Sequence, residues 1–101
     1  MGIKVNDYVR TNKGTIDKIT DENIMAYQMA LMGFGEKPIK SSPRIIDLIE
    51  VGDYVNGEYV TNINKKDNYV DVGYDDAILR AKDIKSVLTK EQFEQMEYKI
   101  N

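Results

Sequence analysis

Apolar and polar positions alternate along Lys4–Arg10, so that Val5, Asp7 and Val9 fall on one face and Asn6 and Tyr8 on the other. A period of two predicts a β-strand. Thr11-Asn12-Lys13-Gly14 supplies turn chemistry and Thr15–Ile19 returns as a second strand. The pentad Val5-Asn6-Asp7-Tyr8-Val9 has a near-copy in Val51-Gly52-Asp53-Tyr54-Val55, and the longer stretches Ile3–Ile19 and Ile49–Lys65 align with it. Two related hairpins are expected within a single domain spanning residues 1–101. In the second copy, Asn56-Gly57 is the strongest hairpin signal in the chain, because a two-residue turn with both φ values positive favours that dipeptide. It joins strands at Glu50–Val55 and Glu58–Ile63; further strands are expected at Tyr69–Gly73, Lys82–Leu88 and Met96–Ile100.

Between the copies the period changes. Thr20–Gly35, TDENIMAYQMALMGFG, reads as a helix over about 21–32, with Ile24, Tyr27 and Leu31 spaced i, i+3, i+7 and Gly33 or Gly35 as its stop. A strand would place Met25, Tyr27, Met29 and Leu31 on one face. The helix is preferred because Ala, Met, Leu and Gln are good helix formers. Met25, Met29 and Met32 share a side of it, suited to an irregular core or to an adaptable partner surface; the core is the expected use. Glu36–Ser42 reads as a connector. Ser42-Pro43 starts a short helix over about 43–49, and Thr89-Lys90-Glu91-Gln92 fits a capping box opening another at about 90–95. The expected fold is mainly β with short helices (α+β), a small antiparallel β-barrel or sandwich built from the two hairpins.

Composition narrows the chemistry. The 101 residues contain neither cysteine nor histidine, which removes thiolate and imidazole nucleophiles, the common zinc ligand sets and any disulfide framework. An enzyme is not expected, and no cofactor or metal is implied. Seventeen acids against 14 bases give a net charge of −3, which disfavours general DNA or RNA binding. Neither a membrane span nor a signal-peptide core is apparent, so the cytoplasm is the expected location.

Three groups of residues stand out as candidate sites. The first is the Met-rich segment, with Met25, Tyr27, Met29, Met32 and Phe34 as partner-binding residues. The second is the acidic stretch DNYVDVGYDD at Asp67–Asp76, which fails the EF-hand spacing because Gly73 occupies a ligand position and no glutamate falls at the twelfth. Its Tyr69, Tyr74, Asp75 and Asp76 form instead a patch able to face a basic protein surface. The third is a set of Tyr and Arg residues, Tyr8, Arg10, Tyr54, Arg44 and Arg80, which in one pocket would stack and pair a small nucleotide. Gly33-Phe34-Gly35 lacks the context of a phosphate-binding loop.

The pattern I-x-V-x-D-Y-V-R-T-x-x-G-x-I at Ile3–Ile16 is similar to the opening of KOW-like small β-barrels. IIDLIEVGDYVNG at Ile45–Gly57, with DIKSVLTKEQFEQMEYKI at Asp83–Ile100, resembles a family of small proteins encoded by phages and prophages of Gram-positive Firmicutes. Thr20–Lys37 departs from that family. The resemblance implies a phage accessory protein acting in the host bacterial cell, of the anti-CRISPR-like kind that binds and blocks a host defence component. Two alternatives accompany it: a sponge that sequesters a cyclic-nucleotide immune signal, and a structural or replication accessory protein of the phage. A homodimer is compatible with each.

Overall fold

The computed structural model describes residues 2–96. It is mainly β, with two antiparallel sheets and two short helices. The chain divides into two compact units, Met1–Ile49 and Glu50–Asn101.

In the first unit, β1 (Tyr8–Thr11) lies between β2 (Ile16–Lys18) and β3 (Pro38–Ser42), antiparallel to both. Glu36–Ser42, expected as a connector, is therefore largely strand. Its opening proline argues against a strand in sequence, yet β3 is an edge whose first residue need not donate to a ladder. Helix α1 (Ile24–Leu31) packs Ile24, Tyr27 and Leu31 against a core of Ile3, Val9 and Ile19. It ends as Gly33 (φ 104°) reverses the chain: the Gly33 N–H donates to the Ala30 carbonyl and the Phe34 N–H to the Met29 carbonyl, the paired bonds of a Schellman cap. The expected short helix at 43–49 contracts to one 3-10 turn, Ile45–Asp47.

The second unit carries a five-stranded sheet in the order β7-β6-β5-β4-β8, formed by β4 (Tyr54–Val55), β5 (Glu58–Asn64), β6 (Tyr69–Val72), β7 (Ala77–Arg80) and β8 (Val87–Leu88). Val55, Val60, Val70 and Val72 are buried on one face. The strand expected over Lys82–Leu88 is corrected: Ala81–Asp83 is a 3-10 turn and only Val87–Leu88 pairs, with β4. A strand unforeseen in sequence, β7, forms instead, because a turn at Gly73–Asp76 folds Ala77–Arg80 back along β6. Helix α2 (Lys90–Met96) opens with the expected capping box; the Gln92 N–H donates to Thr89 Oγ1 and the Thr89 N–H to Gln92 Oε1. The closing strand expected at Met96–Ile100 lies outside the described residues beyond Met96, which ends α2.

The repeated pentads share a backbone design. The Asp7 N–H donates to the Lys4 carbonyl and the Asp53 N–H to the Glu50 carbonyl, each at 3.0 Å. In both turns the third residue has a positive φ, 78° at Asn6 and 100° at Gly52, a conformation that asparagine and glycine tolerate best. The same residue then donates to a returning strand, Asn6 to Ile19 and Gly52 to Val60, and the carbonyls of Asp7 and Asp53 accept from those same two residues. Val9 and Val55 close each copy as fully buried core. The return arrives sooner in the second copy, since Asn56-Gly57 turns the chain directly after Val55.

Candidate functional site

The Met-rich segment emerges as surface. With Ile24, Tyr27, Ala30 and Leu31 turned inward, the 3.6-residue period carries Met25 and Met29 to the far side of α1 and Met32 just beyond its end. Met25 is 69% exposed, Met29 47%, Met32 76% and Phe34 66%. The expectation that this stripe forms core is thus corrected. The sequence IMAYQMAL has apolar side chains nearly all round, more than one small core can cover. Tyr27 belongs to the inward side. Its hydroxyl donates to Asp17 Oδ2 at 2.7 Å, and burial together with the Asp17 carboxylate holds the phenol well above its ordinary pKa.

Flanking α1, a shallow pocket is lined by Thr15, Ala26, Tyr27, Ala30, Phe34, Gly35 and Glu36. Glu36 Oε2 accepts from Thr15 Oγ1 at 2.7 Å and Thr11 Oγ1 at 2.9 Å. These bonds favour the ionised carboxylate and lower its pKa. Met25, Met29, Met32 and Phe34 therefore form an apolar surface with an ionised carboxylate on its flank.

The acidic patch resolves into separate roles. Tyr74 is fully exposed. Asp76 Oδ1 accepts from Thr61 Oγ1 at 3.2 Å, and Asp75 Oδ1 lies 3.3 Å from where a Cβ on Gly73 would stand. Tyr69 is half-buried, its hydroxyl bonded by Asn64 Nδ2 at 3.1 Å, at the other end of β6.

The Tyr and Arg set is divided: Tyr8, Arg10 and Arg44 belong to the first unit, Tyr54 and Arg80 to the second. Arg10 is fully buried and its Nη1 donates to the Leu48 carbonyl at 3.0 Å, which makes it a core brace. Lys18 Nζ stands 5.8 Å above the Tyr8 ring. Within the second sheet, β5 and β6 separate Tyr54 on β4 from Arg80 on β7, a lateral distance of about 14 Å at the usual strand spacing.

Sequence reasoning missed an aromatic row. Tyr54 and Tyr59 are directly paired across β4 and β5, with ring centroids 5.5 Å apart in an edge-to-face arrangement. Phe93 of α2 stacks on Tyr54 at 5.2 Å. The pairing was legible, since a two-residue turn at Asn56-Gly57 sets residue 54 opposite 59; the arrival of Phe93 had no local signal.

Among the described residues, no group of three or more acids could hold a metal ion, and no helix is long and apolar enough to cross a membrane. Comparisons with protein-family models, curated proteins and solved structures find no match for this chain.

Proposed function

We propose that this chain is a non-catalytic binding protein that docks onto a protein partner through the outward side of α1. The observation that carries the reading is the exposure of Met25, Met29, Met32 and Phe34 together on one short helix and its cap. Contiguous exposed apolar side chains mark interaction surfaces, and unbranched thioether side chains adapt to a partner's contours. The resemblance of Ile45–Gly57 and Asp83–Ile100 to phage and prophage proteins supports a host defence component as the partner, blocked in the anti-CRISPR manner.

The test is to mix the purified protein with CRISPR effector complexes and measure both co-elution and target cleavage. Association with loss of cleavage is expected. A triple variant, M25S with M29S and M32S, should retain the wild-type circular dichroism spectrum and lose association. Normal cleavage with no co-elution would count against the defence partner; an active triple variant would count against the α1 surface.

A further inference from the structure

We propose that the open face of the second unit's sheet is a further binding site, one that takes an arginine-bearing segment of a protein partner. Val55, Val60, Val70 and Val72 are buried on the opposite side, yet Phe93, Tyr54 and Tyr59 line up on the open one. Tyr59 is 46% exposed and Phe93 48%, and the Tyr74 ring is wholly in solvent. Between the rings runs a groove of about 450 Å³, lined by Tyr54, Tyr59, Thr61, Gly73 and Tyr74. Gly73 forms part of one wall, and a side chain there would meet the Asp75 carboxylate.

The surrounding charge selects the ligand. Asp76 is bonded to the groove residue Thr61, and the Asp75 carboxylate stands against the groove residue Gly73. Lys90, whose stem runs beside Gly52, has its ammonium on Glu50 at 2.8 Å, so its charge is already matched. Phosphate groups would be repelled by this rim. A guanidinium is attracted twice, by the faces of the tyrosine rings and by the carboxylates. Its plane also stacks on an aromatic ring and presents paired N–H groups to a carboxylate, which a lysine ammonium does not do. The site is independent of the α1 surface and of the defence reading.

The experiment is a nuclear magnetic resonance titration of the full chain with a capped peptide of alternating glycine and arginine. Parallel titrations use the same peptide carrying lysine, the same peptide carrying uncharged citrulline, and a ten-residue oligothymidylate. Saturable shifts are expected at the amides of Tyr54, Tyr59 and Gly73–Asp76, with arginine binding more tightly than lysine and citrulline losing most of the affinity. Tyr74→Ala should weaken binding about two- to fivefold, the share of one exposed cation–π contact. Asp75→Asn combined with Asp76→Asn should weaken it at least as much and flatten its salt dependence. The M25S, M29S, M32S variant should bind the peptide as the wild type does. Failure of the arginine peptide to saturate, shifts confined to other residues, equal binding of lysine or citrulline, or tighter binding of the oligonucleotide would each overturn the assignment.

Discussion

Asp53 is the buried polar hub of the second unit, and replacing it with asparagine should show how much one carboxylate contributes there. The side chain is fully buried. Its Oδ2 accepts from the Glu50 N–H at 2.8 Å, tying the pentad turn, and its Oδ1 accepts from the Lys90 N–H at 3.0 Å, tying the first residue of α2 to that turn. Asparagine retains one acceptor and turns an NH₂ group toward the other N–H, so one charge-assisted bond is lost and two donors face each other. A hydrogen bond to a charged group contributes about 1.5–3 kcal/mol, and an orphaned buried donor costs on the same scale. Asp53→Asn should therefore destabilise by about 2–3 kcal/mol. With a urea m-value of about 1.5 kcal/mol/M, the midpoint falls by roughly 1.3–2 M. Urea titration followed by near-ultraviolet dichroism of the tyrosines measures the shift, and faster amide exchange at Glu50 and Lys90 locates it. Asp7 is the internal control. It holds the corresponding place in the first pentad but is only half-buried, and its carboxylate has no hydrogen-bond partner among the described residues. Asp7→Asn should thus cost less than about 0.5 kcal/mol. Equal costs at the two positions, or an Asp53→Asn protein as stable as wild type, would refute the hub.

Asn56 should act through its side chain as well as its backbone. Its Oδ1 accepts from the Lys85 and Ser86 N–H groups and its Nδ2 donates to the Asp83 carbonyl; Asn56→Gly, which tolerates the 50° φ, should still lose about 1–2 kcal/mol in urea denaturation. Thr89→Ala removes the hydroxyl of the capping box and should cost about 0.5–2 kcal/mol, with Thr89→Ser restoring nearly all of it. Glu36 supplies a pH test. Because Thr15 and Thr11 hold its folded pKa below the ordinary 4.5, its stabilising contribution is complete above that value and lost as the pH falls through the lower folded value. The stability advantage of wild type over Glu36→Gln should accordingly be constant from pH 7 to about 5 and shrink on further acidification, as read from urea midpoints across that range.

Several features set by short-range contacts are legible in the chain, although the Ser42-Pro43 start yields only the 3-10 turn Ile45–Asp47. The Asn56-Gly57 hairpin, the Thr89–Gln92 box and the stop at Gly33 each depend on hydrogen bonds spanning a few residues, so the residue types that make them stand side by side in the chain. The recurrence of Val-x-Asp-Tyr-Val belongs here too, since each copy specifies one turn, one left-handed residue and one core valine. Features closed over long separations were not legible. β3 and β7 are strands only because β1 and β6 supply partners, and neither has the alternating pattern that announces a strand. A helix with apolar side chains around most of its circumference does not reveal which side the core will take, and here the core cluster of Ile3, Val9 and Ile19 left the methionines outside. The carboxylate of Asp53 acquires its role only when α2 arrives from 37 residues further on, and Phe93 reaches Tyr54 by the same arrival. Short-range hydrogen bonding was determined by the sequence itself; burial and the two candidate surfaces were decided by tertiary packing, because exposure depends on which neighbours fill the space around a side chain.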